Sequence, residues 1–336
     1  KAISNANTVM PSTFTGTQRI KVFTNSSNAA FCTLPASPST STTCTSSDNT
    51  FNTQVQVPAP VEGVLQTSVG ARARLGLALY NPSDDQGGSI KVPIGWSSLQ
   101  PVIDNVNALS PGGGTPIGET LWSVTGYFAQ QHPISAMGSP GPRYHSTDYT
   151  TSTGASTTST TNKDKDPYNY GPIPVTTTNQ RYPLCAKSYV LLITDGEPCN
   201  DGNLPTNLVN YASTRSPFNC TGGNCTGVSP WFSDYTIQTT GCSAGITAGL
   251  EDVALYAHTT DLRDSPTVGT DNLAGNQNLT LYTVFAFGRG SNLLKYAAIN
   301  GGFDDINGSG SPDNVAKWDK NGDGVPDNYF EAFEGA

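Results

Sequence analysis

Charge is scarce in this sequence: Asp, Glu, Lys and Arg make up 13% of the chain, and the acids outnumber the bases 26 to 17. The resulting net charge of −9 repels phosphate backbones and anionic lipid, which excludes nucleic acid and a charged membrane surface as natural partners. Histidine is scarcer still, at three residues. None of His132, His145 and His258 stands in a nucleophile or zinc-protease motif, so no catalytic role is expected. No apolar run is long enough to span a bilayer. A signal peptide is also missing, and the chain opens at Lys1, as a mature or cleaved product would.

Ser, Thr, Asn and Gly are abundant instead, a balance closer to extracellular surface proteins than to cytosolic enzymes. Seven cysteines agree with that. Cys32 and Cys44 share one Ser/Thr-rich loop, while Cys185, Cys199, Cys220, Cys225 and Cys242 cluster later. No pair has zinc or haem spacing, so disulfides formed in an oxidising compartment are expected. The odd count leaves one thiol free or paired outside this chain. An excess of carboxylates suits divalent cations.

Alternating apolar residues at Arg19 to Phe23 and Phe51 to Val57 predict half-buried strands, a β-arm over residues 1–59 that holds the Cys32–Cys44 loop. From residue 60 the pattern changes. Val61 to Val69 has helical spacing, Ala73 to Tyr80 and Ser89 to Ile94 read as strands, and Val102 to Val106 reads as a short helix. Thr115 and Pro116 read as the N-cap and first residue of a helix lined by Ile117, Leu121, Val124 and Phe128. Residues 133–182 are low in complexity and read as an exposed insertion. Tyr189 to Ile193 and Leu279 to Phe287 read as buried strands, with helices around Leu250 to Ala257 and Leu293 to Ile299. Buried strands alternating with helices predict an α/β fold, a mainly parallel sheet with helices on both faces.

Ligands of such a sheet bind beyond the carboxyl ends of its strands. Asp195 ends one buried strand, and Thr115 lies in the loop Gly112-Gly113-Gly114 that opens a helix. Both should therefore face one crevice, where a hydroxyl and a carboxylate suit magnesium, manganese or calcium. Taken singly, Thr115 is also an ordinary N-cap and Asp195 an ordinary turn residue.

The segments GGGTPIGETL (residues 112–121) and VLLITDGEP (residues 190–198) resemble the second and third motifs of the metal-ion-dependent adhesion site of von Willebrand factor A domains. The resemblance implies that Thr115 and Asp195 help hold a divalent cation, Mg2+ being the candidate, whose open position takes a partner's carboxylate. The family's first motif, Asp-x-Ser-x-Ser, has no counterpart, since no Asp here has Ser at both +2 and +4. The central strand that carries it is then missing. An upstream segment, another copy or a rearranged sheet is expected to fill that slot, and the chain is expected to be a fragment.

Near the C-terminus, Asp319, Asn321, Asp323 and Asp327 take positions 1, 3, 5 and 9 of a calcium loop. Gly324 takes the sharp turn at 6, and Val325 offers its carbonyl at 7. Position 12 is Phe330, with Glu331 next to it as a candidate substitute. Asp305, Asn307, Ser309, Gly310, Ser311 and Asp313 repeat the spacing more weakly, either as a second calcium loop or as an Asx-rich turn without metal. Residues 301–336 are thus expected to form tandem Ca2+ loops after an A-like domain at 60–300. RLGLALYN (residues 74–81), TPIGETL, VLLITDGEP and DKNGDGVPDNYFEA (residues 319–332), in that order, resemble the PilY-type tip adhesins of type IV pili. Those usually continue into a β-propeller, which this chain lacks. The resemblance implies an extracellular, pilus-associated adhesion module that meets pilus tip components or a host or surface ligand. The alternative is a structural fibre subunit that passes strands between copies.

Overall fold

The computed structural model describes residues 18–25, 48–55, 73–80, 87–95, 99–110, 112–130, 137–138, 142, 166–170, 182, 187–195, 198–214, 220–221, 224–225, 248–264 and 273–332. The chain divides into two compact units, Lys1–Ala73 and Arg74–Ala336, so the break falls later than the expected boundary at residue 60. In the first unit β1 (Gln18–Asn25) and β2 (Asp48–Val55) pair antiparallel, Gln18 opposite Val55 and Asn25 opposite Asp48. The cysteines expected between them and the helix expected at Val61 to Val69 lie outside the described residues.

In the second unit β3 (Leu77–Tyr80) and β4 (Gly88–Val92) form an antiparallel pair. Next come α1 (Gln100–Asn107) and α2 (Ile117–Ala129). β5 (Ser188–Thr194) follows. Short elements come next: α3 (Thr206–Val209), α4 (Tyr211–Thr214) and the ladder of β6 (Cys220–Thr221) with β7 (Asn224–Cys225). Then α5 (Leu250–Thr259), β8 (Leu279–Ala286), α6 (Asn292–Gly302) and β9 (Tyr329–Ala332) complete the unit. β5, β8 and β9 make a three-stranded parallel sheet in that order. Parallel neighbours need a crossover, and α5 and α6 supply the helices of the two connections. The fold is α/β.

Helix α2 is buried along its whole length, as a helix apolar on most sides must be. Its Ile117, Leu121, Trp122 and Phe128 join Leu250, Val253 and Ala254 of α5 and Leu293, Leu294 and Ala297 of α6 in one core. The sheet gives this core Leu192, Leu279 and Leu281, and the Thr283 hydroxyl donates to the carbonyl of Leu294 at 3.1 Å. The opposite sheet face is not covered by the described residues. Tyr189, Leu191 and Ile193 are 55, 55 and 56% exposed, so among the described residues the helices α2, α5 and α6 cover one face. Among the described residues no strand pairs with β5 on the side away from β8. β3 reaches β5 through its last residue, the Tyr80 hydroxyl donating to the carbonyl of Ile193 at 3.3 Å.

Two expectations about segments change. The C-terminal loops do not stand apart, because β9 directly follows them and pairs with β8. The insertion at 133–182 is not wholly exposed either. Asp166, Tyr168 and Asn169 are buried, because the buried guanidinium of Arg263 needs a carboxylate and takes both oxygens of Asp166, at 3.0 and 3.1 Å. Arg74 ties down the same segment by donating to the carbonyls of Pro167 and Asn169, each at 2.8 Å.

Candidate metal sites

Beyond the carboxyl end of β5, the glycine-rich loop meets the loop that follows Asp195. Thr115 and Cys199 exchange two backbone hydrogen bonds, each 3.1 Å, and Cys199 is itself disulfide-bonded. Thr115 is not the N-cap of α2, whose Ncap residue is Pro116, with no side-chain bond. Asp201 does that work from a distant part of the chain. Its two carboxylate oxygens accept from the N–H of Gly118 at 2.8 Å and of Glu119 at 2.9 Å, satisfying donors that the first turn leaves unpaired. Thr115 is thereby released from capping.

Glu119 is buried beside Asp201 and accepts from the N–H of Gly87 at 2.9 Å and of Asn203 at 2.7 Å. It pins the start of β4 and the loop after Asp201 to one helix turn. Burial pushes Asp201 up to about 8, the charge of Glu119 adds to this, and the two backbone N–H bonds oppose it. Tyr80 is pushed up to about 12, chiefly by burial, and the carboxylates of Asp201 and Asp195 both add to the rise. Asp195 and Asp201 thus both lie near enough to Tyr80 for their charge to raise it. A buried phenol and a buried carboxyl both favour their neutral forms, because removal from water penalises the charged one. Asp195 directly follows β5, and Thr115 lies in the loop that opens α2. Among the described residues, however, no three His, Cys, Asp or Glu side chains cluster as a metal cage.

The loop from Asp319 to Asp327, which has calcium-loop spacing in sequence, is closed by hydrogen bonds from its own backbone. The Asp319 carboxylate is buried and accepts from Gly322 N–H at 2.8 Å, Asp323 N–H at 3.2 Å and Gly324 N–H at 2.9 Å. Asn321 Oδ1 accepts from Asp323 N–H at 2.9 Å, and Asp323 Oδ1 from Val325 N–H at 2.8 Å. Gly322 and Gly324 take φ of 74° and 80°, a left-handed backbone that suits glycine. Asp327 closes the loop, accepting from Lys320 N–H at 3.1 Å. Hard oxygens on a tight loop fit Ca2+ by donor chemistry. Glu331 is not placed for this role. It accepts from Gly290 N–H and from the Tyr329 hydroxyl, each at 2.7 Å. Burial raises its carboxyl, but these bonds together with the charges of Lys295 and Arg289 outweigh it and hold the group below the ordinary carboxylate range.

The weaker loop has the same scaffold with a different centre. Asp305, Ser309, the carbonyl of Ser311 and Asp313 all surround the ammonium of Lys317. Asn307 accepts from Ser309 N–H at 3.1 Å and donates to Asp313 at 3.4 Å.

His132 and His145 lie outside the described residues. His258 spans two backbone carbonyls, Nδ1 to Leu279 and Nε2 to Phe303, both at 2.8 Å. That is a bracing role between α5, β8 and the end of α6.

Sequence reasoning missed Asp201, Glu119 and Lys317. Nothing local marks any of them, since each acts on a segment distant in sequence or on an oxygen cluster read as a metal site. No helix of the described residues is long and apolar enough to cross a membrane. Comparison with protein-family models, with curated proteins and with solved structures returned no match.

Proposed function

We propose that this chain is a divalent-cation-dependent binding module of the type IV pilus-associated, PilY-like kind, acting at the cell surface without catalysis. Its A-like crevice would grip a carboxylate of a pilus tip component or of a host or surface ligand through a cation near Thr115 and Asp195. A Ca2+ in the loop at 319–327 would stiffen the strand that follows it. The observation that carries the reading is the reciprocal Thr115–Cys199 bonding, which draws the glycine-rich loop to the loop after Asp195. Capping of α2 by Asp201 agrees, because it leaves the Thr115 side chain unspent on the helix.

The test is retention of the full chain on an immobilised poly-glutamate surface in Mg2+ or Mn2+ and in a chelator. Cation-dependent retention that Thr115→Ala and Asp195→Asn each abolish, while Asp319→Asn spares it, supports the module. Retention that survives chelation sinks it.

A second reading, a fibre subunit assembled by strand exchange, rests on one observation. The outer edge of β5 carries no described partner strand, and its exposed Tyr189, Leu191 and Ile193 form an apolar stripe. A parallel strand from another copy or from an upstream segment would satisfy that edge.

A further inference from the structure

Two loops fourteen residues apart share one hydrogen-bond plan. In each, the first carboxylate folds back on the backbone: Asp305 accepts from the N–H of Ser309 at 3.0 Å and Gly310 at 2.9 Å, as Asp319 does from Asp323 and Gly324. In each, an Asn two residues on accepts from the N–H two further along, at 3.1 Å in the first loop and 2.9 Å in the second. The next oxygen side chain repeats the step, Ser309 Oγ accepting from Ser311 N–H at 3.3 Å and Asp323 Oδ1 from Val325 N–H at 2.8 Å. The glycines match as well, Gly308 and Gly310 at φ 70° and 68° against Gly322 and Gly324 at 74° and 80°.

The loops differ at their centres. The Lys317 side chain is 0% exposed, and its Nζ lies 3.0 Å from Asp305, 2.8 Å from Ser309 Oγ, 2.8 Å from the Ser311 carbonyl and 2.8 Å from Asp313. Those are the groups at positions 1, 5, 7 and 9, the ones a calcium ion would take. An ammonium has three N–H donors, and four oxygens surround this one, so at least one is held by charge as much as by a directed bond. Burial is the largest single influence on Asp305 and Asp313 and raises both, but the Lys317 ammonium and their other hydrogen bonds together outweigh it and hold both below the ordinary range. The second loop has three carboxylates to the first loop's two, and Lys320 within it turns its ammonium to Asp304 instead. Lys317 also stands fourteen positions before Glu331, so the two loops carry opposite charges at one repeat position.

From this geometry we infer that Lys317 is the resident cation of the first loop, a tethered ammonium in the place of calcium. The loop at 305–313 is then ordered without a divalent ion and takes none, while any Ca2+ of the segment belongs at 319–327. A buried ammonium and a dication cannot share one oxygen cage, since at about 3–4 Å their repulsion far exceeds thermal energy in a poorly solvated site.

The test is the number of Ca2+ ions bound per full chain, counted by native mass spectrometry over a Ca2+ titration. Asp305→Asn is expected to leave the wild-type count unchanged. Lys317→Met, which keeps the buried stem and removes the charge, is expected to add one ion. Lys317→Met with Asp305→Asn should return the count to that of wild type. Loss of an ion on Asp305→Asn alone overturns the inference, and so does a folded Lys317→Met chain whose count does not rise. If Lys317→Met does not fold, the Asp305→Asn count decides. The count for Asp319→Asn reports separately on the second loop, so failure of the calcium reading there is distinguishable from failure here.

Discussion

Replacing Asp201 by asparagine separates two properties of the crevice, hydrogen bonding and charge. In wild type, burial lifts Asp201 to about 8 from an ordinary 3.8. Between those values the unfolded chain ionises this carboxyl while the native chain keeps its proton. Its contribution to stability is thus fully present below about pH 4 and is lost as pH rises toward 8. One proton of difference between the two states corresponds to about 1.4 kcal/mol per pH unit, hence a few kcal/mol, on the order of 3, between pH 5 and pH 7. The amide of the Asp201→Asn variant cannot ionise. Its oxygen can accept only one of the two N–H groups with its NH2 turned toward the other, a cost that does not change with pH. The difference in unfolding free energy between wild type and Asp201→Asn should therefore fall by about 2–3 kcal/mol from pH 5 to pH 7. Urea denaturation of both proteins at pH 5, 6 and 7 measures it. A chelator must be present, because a nearby cation would favour the ionised acid. A pH-independent difference, or wild type gaining on the variant as pH rises, would refute the buried, proton-holding Asp201.

Two other substitutions test the frame around the sites. Arg263→Met strands the Asp166 carboxylate in the interior and should cost about 3–5 kcal/mol; adding Asp166→Leu should recover part of that loss in the same denaturation experiment. His258→Ala removes the bridge between the carbonyls of Leu279 and Phe303 and should cost about 1–3 kcal/mol, read as a lowered thermal midpoint with the secondary structure unchanged.

Periodicity locates the strands Tyr189 to Ile193 and Leu279 to Phe287 and the helices at Ile117, Leu250 and Leu293, because each is a mostly apolar segment whose spacing or length matches its element. The same reasoning puts helices on both sheet faces, since alternation of buried strands and helices says nothing of which face a helix takes. The exposed Tyr189, Leu191 and Ile193 are apolar and read as core in any sequence pattern. Capping illustrates a different limit. Thr115-Pro116 has the local chemistry of a helix start, yet the carboxylate that caps α2 is Asp201, brought there by the fold. Calcium-loop spacing is legible in both loops, since position patterns record oxygens and not what they surround. Lys317 lies four residues beyond Asp313, outside the pattern, and only the three-dimensional turn brings its ammonium back. Low-complexity composition hides Asp166 and Tyr168 for a related reason: the partner that buries Asp166, Arg263, is 97 residues away.

The most direct test of a divalent-cation module is an anomalous difference map from crystals of the full chain grown in Mn2+. The account predicts one peak within ligand distance of Asp195 and Thr115, a second inside the loop at 319–327, and no peak inside 305–313. An empty crevice at Asp195 in crystals whose second loop is loaded would contradict the metal-dependent grip.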